Sequence, residues 1–266
     1  MKHIAILLPT YMPGDYIIDC LESIENQTLD NGLFKVYIGL NGVREPYYQF
    51  IQDVLNNFGF DYELIYIEPA GVSNARNVLI ESSTEDFIVF IDDDDVVSPN
   101  YLEELLKVSS RNAMGIANIY SFQNTTEEKK PNYIGRTFQT IVDGEISKFK
   151  TRKYFSSPCA KMLHREMIGS HGFDLKVTKG EDSLFMALLS PNVKSIKKTS
   201  DTACYFVHER LGSVTRRKNP LDVEIRTLNY LMLQYLRLLF SLRYDPLFIA
   251  TRLAATTFKY FKLIKR

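Results

Sequence analysis

Apolar and polar positions follow two alternating rhythms over the first hundred residues. Ile4–Leu8 is a short unbroken apolar run ending at Pro9, the pattern of a strand buried on both faces. Residues 14–27 carry Ile17, Ile18, Leu21 and Ile24 at helical spacing. Phe34–Leu40 predicts a second strand, closed by Asn41-Gly42, and residues 46–58 return to the helical period. Tyr62–Ile67 predicts a third strand and Gly71–Ser82 a helix after a glycine turn. Phe87–Ile91 is a fourth, very apolar strand, and Pro99–Ser109 a helix with proline near its first turn. This βαβαβαβ run predicts a doubly wound α/β domain.

Beyond about residue 112 the order loosens. Residues 123–150 are polar, with the charged run Glu127-Glu128-Lys129-Lys130, and read as an irregular insertion with few core positions. A short helix is predicted over 181–189, an apolar strand over 202–207, and a basic loop with glycine and proline over 209–220. Two helices follow, about 222–243 and 247–264, broken at Asp245-Pro246.

The 266 residues are 45% hydrophobic and 24% charged, the balance of a soluble globular chain that buries a core without staples. A net charge of zero argues against nucleic acid as a partner. That zero conceals an asymmetry: residues 218–266 carry nine basic and three acidic side chains, net +6, which leaves −6 on residues 1–217. A basic tail on an acidic body points to two different partners. The longest charge-free stretch of the tail, Thr227–Leu236, is too short to span a bilayer. Arg237, Arg243, Arg252, Lys259 and Lys262 interrupt its apolar pattern and edge an amphipathic surface. Such a surface lies in the interface of an anionic membrane, packs on the body, or pairs two copies. Cys20, Cys159 and Cys204 form neither a disulfide framework nor a CxxC zinc pattern, which predicts reduced thiols in a cytoplasmic protein. The N-terminal apolar run is too short for a signal peptide.

The chemistry concentrates at FIDDDDVVSP. Asp92, Asp93, Asp94 and Asp95 end the most apolar strand, and open α/β sheets bind ligands at the carboxyl ends of strands. Four carboxylates repel one another unless a cation is present, and hard oxygens suit Mg²⁺ or Mn²⁺. Such a cation typically neutralises a substrate diphosphate. A solvated acidic turn capping the helix near Pro99 is the plainer alternative. Asn41-Gly42 reads equally as a turn or as a pocket edge, since an amide both donates and accepts. Glu181-Asp182 could serve only the dipole of the helix they start. His208 ends an apolar strand beside the basic loop, a position open to a structural or a metal-binding role. Cys159, with no histidine motif beside it, reads as packing.

Taken in order, LLPTY, ESIENQT, GVSNARN, FIDDDDVVSP, CAKMLHREMI, GFDLKVTKGEDSLF and YFVHERLGSVTRR closely resemble the family 2 glycosyltransferases of GT-A fold over residues 1–217. The resemblance implies a GT-A-like, doubly wound (Rossmann-like) mixed sheet with a C-terminal helical appendage. Its catalytic domain would span 1–217, with a nucleotide-sugar half at about 1–98 and an acceptor half at about 99–217. Residues 218–266 would form the basic helical segment. It implies inverting, Mn²⁺- or Mg²⁺-dependent transfer from a nucleotide-diphospho-sugar, UDP favoured, to a glycan or lipid-linked hydroxyl. The setting would be bacterial surface polysaccharide synthesis, in the cytoplasm or peripheral on the inner membrane face.

The same resemblance assigns Asp94 to the metal, with Asp92 and Asp93 near metal and ribose. Thr10, Tyr11 and Arg76 would contact the nucleotide. Asp182 would be the base beside Glu181, His208 a further metal or diphosphate ligand, and Arg210, Ser213 and Arg216 a basic loop over the diphosphate. One departure stands out. The family usually has Asp-Asp-Gly-Ser after the second strand, where this chain has Leu40-Asn41-Gly42-Val43. Asn41 could pair with a base edge but not as a charged reader, which leaves the base identity open. An inert nucleotide-sugar or glycan binding module of the same fold is the alternative. A metal-dependent nucleotidyltransferase is a third reading, but LLPTYMPGDY lacks its glycine- and lysine-rich phosphate loop.

Overall fold

The computed structural model describes residues 3–210 and 220–264. The first half follows the predicted alternation: β1 (Ile4–Thr10), α1 (Tyr16–Glu25), β2 (Phe34–Asn41), α2 (Tyr47–Leu55), β3 (Asp61–Ile67), α3 (Val72–Ser82) and β4 (Phe87–Phe90). All seven residues of β1 are buried, because parallel neighbours pair with it on both sides and helices cover its faces. α1 forms where Ile17, Leu21 and Ile24 line one face, and all three are buried.

The second half holds more strands than its pattern announces. After β5 (Val96–Val97) and α4 (Tyr101–Val108) come β6 (Ala113–Ile116), β7 (Asn118–Phe122), β8 (Lys130–Pro131), β9 (Lys161–His164), α5 (Arg165–Ile168), α6 (Glu181–Leu189), β10 (Ser195–Lys198) and β11 (Cys204–His208). The main sheet has seven strands in the order β10-β6-β9-β4-β1-β2-β3. β9 runs antiparallel between β4 and β6, which makes the sheet mixed. A smaller sheet, β5-β11-β7-β8, stands beside it. The missed strands are two to five residues long, too short to show a period of their own.

Residues 123–150 are irregular as expected, but they contribute more to the core than expected: Ile134, Phe138 and Ile141 are buried. The tail forms α7 (Leu221–Leu239) and α8 (Pro246–Ile264). Leu231, Tyr235, Phe248 and Ile249 join the main core, so these helices are packed against the α/β body. Burying a side chain such as Phe248 contributes about 1.5–3 kcal/mol.

The motif ESIENQT braces the fold. Gln27 accepts from the Leu102 N–H at the start of α4 and donates to the Ser98 carbonyl, while the Ser23 hydroxyl accepts from Val97. These bonds hold the chain just beyond the aspartate run.

Candidate active site

The aspartates occupy the turn after β4, at the carboxyl edge of the parallel strands, and each has a different partner. The Asp92 carboxylate accepts from Arg76 Nη2 at 2.8 Å, and its backbone N–H donates to the Tyr205 hydroxyl at 3.1 Å. Asp93 accepts from the Thr10 hydroxyl at 2.5 Å. Asp94 accepts from Arg210 Nε at 2.7 Å, and the Arg210 guanidinium lies 3.7 Å from the centre of the Tyr16 ring. Asp95 is buried and accepts from the His208 backbone N–H at 2.9 Å. It therefore pins the turn to β11, a role the sequence did not distinguish from that of its neighbours. Burial, with Asp94 and Asp92 close by, pushes the Asp93 carboxyl up to about 7 against the pull of Thr10.

α6 brings a second pair of carboxylates to this edge. Its N-cap is Gly180, at φ 96, where a side chain would be strained and a Cβ would come within 3.0 Å of Leu231 on α7. Asp182, in the first turn, accepts from Arg76 Nη1 at 2.7 Å. One guanidinium thus joins Asp92 on the strand end to Asp182 on the helix. Burial raises the Asp182 carboxyl above its ordinary range, Arg76 opposes that shift, and Asp92 adds to it. Burial and the adjacent Asp182 push Glu181 up to about 7.

Several expected roles change in the structure. Arg76, expected to reach the nucleotide, is 4% exposed and spends its guanidinium on two carboxylates. Its fork matches that task, and leaving a buried guanidinium unpaired would be costly. Asn41, expected at the base, is also buried: its amide donates to the Thr10 carbonyl at 2.7 Å and accepts from the Gly71 N–H at 2.8 Å. It ties together the ends of β1 and β2 and the start of α3. His208 does not join the aspartates through its ring. The ring stacks on Phe122 with centroids 4.7 Å apart, and Nε2 lies 3.0 Å from the Gln123 carbonyl. Stacking and that hydrogen bond turn the imidazole outward, and only the backbone of His208 serves the turn. Ser213 and Arg216 lie outside the described residues.

Tyr11 remains available, 44% exposed beside the Asn41-Gly42 turn. Gly42 has φ 86, and a Cβ there would sit 2.8 Å from the Tyr11 ring, so the turn accepts only glycine without displacing that ring. A substitution at Asn41 has a clear expected cost. Asn41→Asp sets a carboxylate oxygen against the Thr10 carbonyl in place of a donor. Urea unfolding should show a loss of about 1–3 kcal/mol.

Lys161, on β9, drew no attention in the sequence. It is fully buried, its ammonium held by the carbonyls of Ser157 at 2.5 Å and Cys159 at 2.7 Å. Burial pushes it down to about 7. A lysine directly before Met162 and Leu163 was the available signal. A cavity of about 190 Å³ opens beside Asp92, walled by Ile119, Tyr133, Ile134, Ser157, Cys159 and Tyr205. Tyr133 and Ile134 come from the region read as a mere insertion. Cys159 is a free, buried thiol, in keeping with packing.

Among the described residues no three His, Cys, Asp or Glu side chains converge into a preformed metal cage. The arrangement still fits a hard divalent cation of the kind that takes one or two carboxylates and completes its shell with phosphate oxygens and water. Asp92 and Asp94 would be the carboxylates for that purpose, and Arg210 now bonds Asp94.

The sequence profile of Glycosyl transferase family 2 matches residues 5–172, well over half of the chain. The chain belongs to glycosyl transferase family 2. It is 25% identical over 228 residues to the putative glycosyltransferase EpsH of Bacillus subtilis, covering 80% of this chain and 63% of EpsH. It is 20% identical over 227 residues to the poly(ribitol-phosphate) beta-N-acetylglucosaminyltransferase TarS of Staphylococcus aureus, covering 80% of this chain and 36% of TarS. The family 2 chain thus spans from about a third to just under two thirds of these relatives. The crystal structure of TarS residues 1–349 with UDP-GlcNAc superposes with a TM-score of 0.77 at 19% identity, covering 98% of this chain and 73% of that one. The TarS 1–349 structure with UDP gives 0.73 at 18% identity, with 98% and 72% coverage. These superpositions show the same GT-A-like fold, including its mixed seven-stranded sheet.

Proposed function

We propose that this family 2 glycosyltransferase moves a sugar, with inversion, from a nucleotide-diphospho-sugar to a hydroxyl of a glycan or lipid-linked acceptor in bacterial surface-polysaccharide synthesis. The observation that carries this reading is the Arg76 bridge, which sets Asp182 beside the aspartate turn. A donor-side acidic edge and a half-buried carboxylate share one guanidinium, so leaving group and nucleophile can be served from adjacent positions. The binding of UDP and UDP-GlcNAc by TarS makes a UDP-sugar the favoured donor.

Tyr11 would offer its exposed ring to the base, with Asn41 shaping the turn beneath it. Thr10 holds Asp93, and Arg210 would swing from Asp94 to the phosphates, where its fork adds charge-assisted hydrogen bonds. A divalent cation held by Asp92 and Asp94 would supply neutralisation of the departing diphosphate. Asp182 would take the proton from the acceptor hydroxyl as it attacks the anomeric carbon, a single displacement that inverts configuration. The cavity of about 190 Å³ beside Asp92 is where the sugar unit would sit. α7 and α8 would keep the enzyme at a membrane surface or pair two copies.

A calorimetric screen of nucleoside diphosphates and nucleotide-sugars with Mn²⁺, followed by anomeric analysis of the product, tests the reading. Release of sugar or transfer to an acceptor separates an enzyme from an inert binding module, and release of pyrophosphate would identify a nucleotidyltransferase. EDTA should abolish transfer, and Asp94→Ala should lower UDP affinity strongly by leaving diphosphate and carboxylates to repel each other. Undiminished transfer in EDTA rules out the metal-dependent form.

A further inference from the structure

The C-terminal helices carry an apolar surface that the core does not use. On α8, Phe248, Ile249, Arg252, Thr256 and Leu263 are buried. Leu247, Ala250, Ala254, Phe258 and Phe261 are exposed and recur in steps of three and four. They form one continuous stripe about 21 Å long at 1.5 Å per residue. The turn between the helices exposes Phe240 and Leu242 as well. Phe240 is 82% exposed and Phe258 and Phe261 60% each, values rarely left to large apolar side chains without a partner.

The border of this surface is basic, and among the described residues no ion pair joins it to a carboxylate. Lys259 and Lys262 flank the two phenylalanines, with the Lys262 ammonium 4.7 Å from the centre of the Phe258 ring. Arg237 and Arg243 flank Phe240 and Leu242. The three acidic groups of this segment are used elsewhere. Asp222 pairs with Arg226, Glu224 lies 4.0 Å from Lys179, and Asp245 accepts from the Leu247 and Phe248 N–H groups that start α8. A two-fold dimer through this face would set one basic border against its own copy, like charge on like. An anionic lipid surface instead supplies the opposite charge and takes the phenyl rings.

We propose that the α7–α8 hairpin docks this protein in the interface of an anionic bilayer, with α8 lying along the surface. The opposite side of the hairpin grips the part of the body that frames Asp182. Tyr230 donates to Asp174 at 2.7 Å, Leu231 abuts Gly180, and Arg252 donates to the Ser156 hydroxyl at 3.0 Å. Docking would therefore hold the acceptor side of the site close to the headgroups, where an amphiphilic acceptor presents its hydroxyl. The docking itself does not depend on sugar transfer, so binding measured without any substrate tests it independently of the activity.

The full chain should sediment with phosphatidylglycerol-containing vesicles at low salt, stay in solution with pure phosphatidylcholine, and be released as salt screens the basic border. Phe258→Glu/Phe261→Glu should lower the partition coefficient on the order of 100-fold. Lys259→Glu/Lys262→Glu should lower it on anionic vesicles through charge alone. Both pairs are exposed, and circular dichroism checks that each variant keeps its fold. No binding to anionic vesicles at low salt overturns the proposal, as does equal binding to neutral vesicles or indifference to both variants. A doubled mass in light scattering, abolished by Phe258→Glu/Phe261→Glu in a protein that ignores vesicles, would assign the stripe to a second copy.

Discussion

Asp182→Asn should cut turnover by about 10²–10⁴-fold while leaving donor affinity near that of the unchanged protein. An acceptor hydroxyl is a poor nucleophile, and its proton must leave as the new bond forms. In the proposed mechanism the Asp182 carboxylate would take it, with one oxygen anchored by Arg76 at 2.7 Å. Its burial raises its proton affinity, which suits a base working near neutrality. Asparagine keeps the size and still accepts from Arg76, so the site should keep its shape and lose only its basicity. In the proposed arrangement donor binding would rest on Tyr11, the aspartate turn and Arg210, and asparagine at 182 keeps the Arg76 contact that links to that turn. Calorimetry with the donor and turnover with a competent acceptor measure the two halves separately. Near-native turnover would place the base elsewhere, and lost donor binding would make Asp182 a structural residue.

Arg76→Met should destabilise the protein by about 2–3 kcal/mol, because it leaves the partly solvated Asp92 and Asp182 without their shared counter-charge. For a chain of this size that is a fall in melting temperature of roughly 5–10 °C, seen by calorimetry. Arg76→Lys should recover only part of it, since an ammonium lacks the fork that bonds two carboxylates at once. Activity carries a second signature. Arg76 holds the proton affinity of Asp182 down against its burial. Without Arg76 the Asp182 carboxyl titrates at higher pH, so the acid limb of the kcat profile should move upward. An unchanged limb in the variant would detach Arg76 from the base.

The frame of the fold is already legible along the chain. β1 and β4 are unbroken apolar runs because parallel strands at the centre of a covered sheet have no polar face, and that composition is visible in one dimension. α1 and α4 show their buried face at helical spacing. The aspartate run and the Glu181-Asp182 pair could be found because clustered charge beside an apolar strand or at a helix start is unusual in any chain. The break at Pro246 and the net charge of the tail were equally plain.

Which groups face one another is settled only when the chain folds. Arg76, Asp92 and Asp182 are far apart along the chain, and nothing local records that one guanidinium serves both carboxylates. Asn41 reads as a base contact or as a turn until its amide is seen between Thr10 and Gly71. The ring of His208 is turned by Phe122 and by a carbonyl, both brought to it by strand pairing. The short strands β6, β9 and β10 become strands through their neighbours in the sheet, because four residues cannot hold an extended conformation without paired backbone groups. Local patterns report burial and backbone preference, whereas the roles of polar side chains depend on partners that arrive only when the chain is folded.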